Sequence, residues 1–95
     1  MGIEEIKKQK KDILALAAKY GAFDIRIFGS VARGEDDARS DVDFLVELEQ
    51  GRSLLDLGGL LYDLQNLLGC GVDVITPAGL KPRIRERVLR EAVGL

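Results

Sequence analysis

The chain has 95 residues, 46% of them apolar and 32% charged, and a net charge near −2. A chain of this size hides only about 60–65% of its extended surface, so one small domain over residues 1–95 is expected, with no room for a lid or a second substrate domain. There is no histidine and a single cysteine, which excludes His-based triads, the usual zinc sites and an internal disulfide.

No apolar run approaches the roughly 18 residues of a membrane span. The opening "MGIEEIKKQKKD" lacks the apolar stretch of a secretion signal. Together with one unpaired thiol, this places the chain in the reducing cytoplasm and away from membranes. Cys70, between Gly69 and Gly71, reads as small packing filler.

Residues 3–20 are expected to form a helix, with Ile3, Ile6, Ile13, Ala17 and Tyr20 on one face and Gly21 at its end. "FDIRIFG" follows as a strand, with Phe23, Ile25 and Ile27 on one side and Asp24, Arg26 and Phe28 on the other. Ser30 is expected to cap a short helical turn through Arg33, closed by Gly34. After the polar loop Glu35–Ser40, "DVDFLVELE" alternates clearly, with Val42, Phe44, Val46 and Leu48 opposite Asp41, Asp43, Leu45 and Glu47. Ser53 starts a second long helix, whose stripe is Leu54, Leu57, Leu61, Leu64 and Leu68 and whose stop is Gly69. "GVDVIT" is the third strand. Pro82 opens a last helix with the apolar line Ile84, Val88, Ala92 and Leu95. The order α-β-(short α)-β-α-β-α predicts a small α/β (α+β) sandwich, a sheet with helices packed on one face.

Asp41 and Asp43, two residues apart on a strand, point the same way with Cα atoms about 6.5–7 Å apart. Such carboxylates repel unless a proton or a cation intervenes, and Mg²⁺ is the usual cation for all-oxygen sites that also meet phosphate. If the second and third strands are neighbours, Asp73 joins the pair and a three-carboxylate site for one or two metals results. A strand ending in Gly29-Ser30 and turning at once into a helix aims backbone N–H groups at its front, a phosphate cradle with an added hydroxyl. Arg33 has two readings: a phosphate clamp, or an ion pair with Asp36, Asp37 or Asp41 that fixes the loop, the second slightly favoured.

The pattern G-S-x-x-R-G, a short loop, then S-D-x-D and alternating apolar residues resembles the nucleotidyltransferases of the DNA polymerase β superfamily. Here it comprises Gly29, Ser30, Arg33, Gly34, Ser40, Asp41 and Asp43, and the likeness runs from about Phe23 to Thr76. In length the chain looks like the minimal nucleotidyltransferases, many of which are antitoxins paired with a HEPN-domain toxin. The resemblance implies a nucleotidyltransferase-like small mixed sheet and a nucleoside triphosphate, ATP, bound by Gly29, Ser30, Arg33 and Ser40. It further implies two Mg²⁺ ions on Asp41 and Asp43; Asp73, assigned by its strand position, would be the third metal ligand and catalytic carboxylate, binding the ion on the nucleophile side and accepting the proton. The implied activity is transfer of AMP to a tyrosine hydroxyl of the toxin. The alternative is a non-catalytic antitoxin that neutralises its partner by contact; the retained charge repulsion of Asp41 and Asp43 favours the enzyme.

Lys81, Arg83, Arg85, Arg87 and Arg90 form a basic stretch. It reads equally as a solvated helix face or as a surface for an acidic patch on the partner. The absence of an interleaved aromatic argues against direct nucleic-acid binding. Tyr20 and Tyr62 read as packing residues.

Overall fold

The alternating stretch around Phe44 forms the centre of a four-stranded mixed sheet in the computed structural model, which describes residues 1–37 and 39–95. β1 (Ala22–Phe28) and β2 (Val42–Leu48) are antiparallel, and β3 (Val72–Ile75) runs parallel to β2 on its far side. β4 (Val93–Gly94) pairs antiparallel with β1 at the other edge, giving the order β3-β2-β1-β4. The parallel pair needs a crossover, and the long helix α4 (Leu54–Leu68) supplies it.

The pleat divides the sheet's side chains into two sets. Ile25, Ile27, Val42, Phe44, Val46, Val72 and Val74 form the main core with Ile6, Ile13 and Ala17 and with Leu60, Leu64 and Leu68 of α4. The first three of those helical residues come from α1 (Ile3–Lys8) and α2 (Lys10–Lys19). Phe28 and Leu45, on alternate positions and hence the opposite face, meet Leu80 and Val88 in a second, smaller cluster. Val88 belongs to α5 (Pro82–Glu91). One helical layer therefore covers one face as expected, while α5 lies across the other.

Several local expectations need correction. The first helix is two: Gln9 leaves helical geometry (φ −101°, ψ 14°) and its N–H turns back to the Ile6 carbonyl at 3.0 Å. No Gly or Pro marks that break. In β1, Asp24 adopts φ +53°, and four residues of β1 (Phe23 to Arg26) span three of β2 (Glu47 to Leu45). This bulge puts Phe23 opposite Glu47 rather than with Ile25 and Ile27, and leaves it 51% exposed.

The leucine stripe of α4 also begins later than expected. Ser53 caps it, accepting the Leu55 N–H at 3.2 Å while Asp56 accepts the Ser53 N–H at 3.0 Å, and Gly69 ends it at φ +69°. Leu54 and Leu55 are 83% and 88% exposed, and Leu60 replaces Leu54 in the buried set. The last helix stops at Glu91. The following residues turn extended, and the Leu95 N–H bonds the Ile25 carbonyl at 3.0 Å. Cys70 packs against the main core.

Candidate active site

β1 ends where β2 and β3 begin, since β2 runs against β1 and with β3. That single end of the sheet collects most of the residues the sequence singles out. Asp43 sits opposite Phe28 across the antiparallel pair and opposite Asp73 across the parallel one. Asp41 precedes β2, and the Val42 N–H bonds the Gly71 carbonyl at 3.0 Å. The condition on the third acid, that β2 and β3 be neighbours, is met.

Two glycines make room for two carboxylates. A Cβ at Gly29 would touch Asp43 Oδ2 and lie 3.2 Å from its Cγ, and Gly29 also holds φ +76°. A Cβ at Gly71 would touch Asp41 Oδ1 and lie 2.9 Å from its Cγ. Position 29 is thus closed to other residues both by conformation and by space. The importance of Gly71 was not legible in the sequence, where it reads only as a strand leader beside Cys70.

Asp43 is half-buried, while Asp41 and Asp73 are exposed. Burial raises the Asp43 carboxyl above its ordinary range; the like charges of Asp73 and then Asp41 push the same way, and Arg33 opposes them. All donors here are oxygens and the net charge is negative, the chemistry that suits a hard divalent cation. Among the described residues no three acidic groups are already closed around one point. The two exposed carboxylates have the rotamer freedom to close on a cation.

Ser30 is not a cap. α3 (Gly29–Ala32) begins at Gly29, with Phe28 in the capping position, so Ser30 lies inside the turn. The leading N–H groups of such a turn have no intrahelical partner. Arg33 follows α3, and its carboxylate partners differ from those expected. Nε donates to Glu35 Oε2 at 2.8 Å and Nη1 to Glu91 Oε2 at 3.2 Å, rather than to Asp36, Asp37 or Asp41. Glu91, 58 positions away, gave no signal in the sequence. Ser40 holds the preceding loop: its Oγ accepts the Asp37 N–H at 3.0 Å and donates to Asp37 Oδ1 at 3.3 Å. Structure thus brings Gly29, Asp41, Asp43 and Asp73 together, with Arg33 within electrostatic reach and the Ser40 hydroxyl engaged in its own loop.

Comparison with known proteins agrees with this geometry. The nucleotidyltransferase domain family matches residues 4–95. MJ0435 of Methanocaldococcus jannaschii, provisionally named a protein adenylyltransferase, is 45% identical over 95 residues, covering 100% of this chain and 99% of that one. The protein adenylyltransferase MntA of Thermococcus cleftensis is 44% identical over 78 residues, 82% of this chain and 79% of its own. A solved structure provisionally described as a minimal nucleotidyltransferase superposes with a TM-score of 0.88 at 48% identity, over 100% of this chain and 97% of that chain. A toxin–antitoxin crystal structure with AMP-PNP shares the fold, with a TM-score of 0.74 at 20% identity over 88% of this chain and 69% of that one. With a family match over nearly its whole length and Asp43 seated against the Gly29 turn, the chain belongs to the nucleotidyltransferase domain family, as a minimal nucleotidyltransferase related to MntA.

Proposed function

We propose that residues 1–95 act as one cytoplasmic nucleotidyltransferase unit that moves AMP from ATP to a tyrosine hydroxyl of a HEPN-type toxin and so acts as its antitoxin. The observation that carries this reading is the seating of Asp43 against Gly29, with Asp73 as its register partner. Carboxylates and a phosphate-binding turn then meet at one end of the sheet. The relatives named as protein adenylyltransferases support a protein as acceptor, and the toxin–antitoxin likeness supports a toxin as partner.

In this reading the triphosphate lies against the Gly29–Ser30 turn, where backbone N–H groups and the Ser30 hydroxyl donate to its oxygens. Arg33 contributes positive charge at the mouth of the turn. Asp41, Asp43 and Asp73 would hold Mg²⁺, two ions by family analogy, which when bound would neutralise phosphate charge and favour an ionised acceptor. The acceptor's phenolic oxygen attacks the α-phosphorus, its proton passes to the Asp73 carboxylate, and the bond to pyrophosphate breaks. With no histidine in the chain, a carboxylate is the available base.

The test is to supply ATP labelled at either the α- or the γ-phosphate, with Mg²⁺ and the candidate toxin. Label from the α position alone is expected on the toxin. Label from the γ position would make the chain a kinase, and label from neither would leave inhibition by contact.

A further inference from the structure

Arg33 is held on two sides by carboxylates from different parts of the chain. Glu35, two residues on, takes Nε, and Glu91 at the end of α5 takes Nη1. Glu91 is itself approached by Arg87 Nε at 3.9 Å from one turn earlier in α5. Anchored by Nε and Nη1, the planar guanidinium loses its freedom to rotate. Its remaining nitrogen, Nη2, takes no partner among the described residues. Arg33 also lies close enough to Asp43 to act on that carboxylate.

An exposed pair of this kind adds little to stability. The α5 that carries Glu91 is already fixed by Val88 in the smaller cluster. A two-sided grip with one donor edge left open does have a consequence for binding, because it orients that edge before any ligand arrives.

Resting on the reading of the Gly29 turn as a triphosphate site, we propose that Glu91 is a positioning residue that fixes the Arg33 guanidinium so that its Nη2 edge meets the bound phosphates. The end of α5 is then part of the nucleotide site without touching the nucleotide. Glu35 makes the shorter contact, 2.8 Å against 3.2 Å, but rides on the polar loop after α3, whereas Glu91 sits on a packed helix.

The test compares Glu91→Gln, Arg33→Gln and the double variant for binding of a fluorescent ATP analogue with Mg²⁺, and for the KM and kcat of AMP transfer. Glu91→Gln is expected to weaken analogue binding and to raise KM for ATP about fivefold with kcat little changed. In the double variant it should add nothing to the loss caused by Arg33→Gln, because its effect runs through that residue. Glu91→Asp should recover part of the loss. Unchanged or tighter binding in Glu91→Gln, or full additivity in the double variant, overturns the proposal while leaving the site intact. A wild-type chain that binds no nucleotide overturns the site and the proposal together.

Discussion

Replacing Asp43 by Asn should stabilise the metal-free protein. Asp43 is the half-buried member of three acids gathered at one end of the sheet. Asp73 is its partner on the adjacent strand, and neighbouring strands lie about 4.8 Å apart. Two unit charges at that spacing repel by about 0.9 kcal/mol in water and about 3.5 kcal/mol at an effective dielectric of 20. Asp73 is exposed, so the lower end applies. Asp41, about 6.5–7 Å along the strand, adds about 0.6 kcal/mol on the same aqueous scale. The attraction of Arg33 offsets part of the sum.

A net gain of about 1 kcal/mol follows for Asp43→Asn, which in a chain of this length raises Tm by about 4–8 °C. The pH dependence has a definite sign. Asp43 is raised in the fold from an ordinary 3.8. Above that value the folded chain therefore holds more protons than the unfolded one, and stability falls as pH rises until the folded group has ionised. The difference in Tm between Asp43→Asn and wild type, measured by calorimetry in EDTA, should grow across that window. Adding Mg²⁺ should then raise the wild-type Tm and leave the variant where it was. A variant less stable than wild type in EDTA, or a difference independent of pH, would refute the picture of a site under like-charge repulsion.

Other substitutions divide cleanly between neighbouring positions. Gly58→Ala should raise stability by about 0.5–1 kcal/mol in chemical denaturation, since a Cβ there meets nothing within 4 Å on a helical position. Gly59→Ala should lower it, because the new methyl would lie 3.1 Å from Cζ of the Tyr20 ring and closer to Cε1. Gly29→Ala should abolish AMP transfer, as the Cβ displaces the Asp43 carboxylate, and should cost about 1–2 kcal/mol for the left-handed backbone. Leu64→Ala should cost about 2–5 kcal/mol, against less than about 0.5 kcal/mol for Leu55→Ser at a residue 88% exposed.

What the sequence reveals is what short-range rules govern. The alternation of Val42, Phe44, Val46 and Leu48 and the Ser53 and Gly69 ends of α4 all follow from local chemistry, and all appear as read. The spacing of Asp41 and Asp43 and the strand–turn–helix at Gly29 are local too, so the heart of the candidate site was visible before the fold. The hidden features depend on tertiary partners. The bulge at Asp24 arises where β1 is fitted to β2 and reverses Phe23. Neither Gly71 beneath Asp41 nor Glu91 beside Arg33 has any motif, because each matters only through a neighbour that folding delivers. The two-residue β4 is too short for a periodic signal and forms because β1 offers it an edge.

The central claim is nucleotidyl transfer by the acidic cluster onto a tyrosine of the partner. Its most direct measurement is tandem mass spectrometry of the candidate toxin after co-production with the wild-type chain or with Asp43→Asn. The account predicts an AMP adduct on a tyrosine with the wild-type chain and an unmodified toxin with the variant. An unmodified toxin that the wild-type chain nevertheless silences, or an adduct that persists with Asp43→Asn, would contradict it.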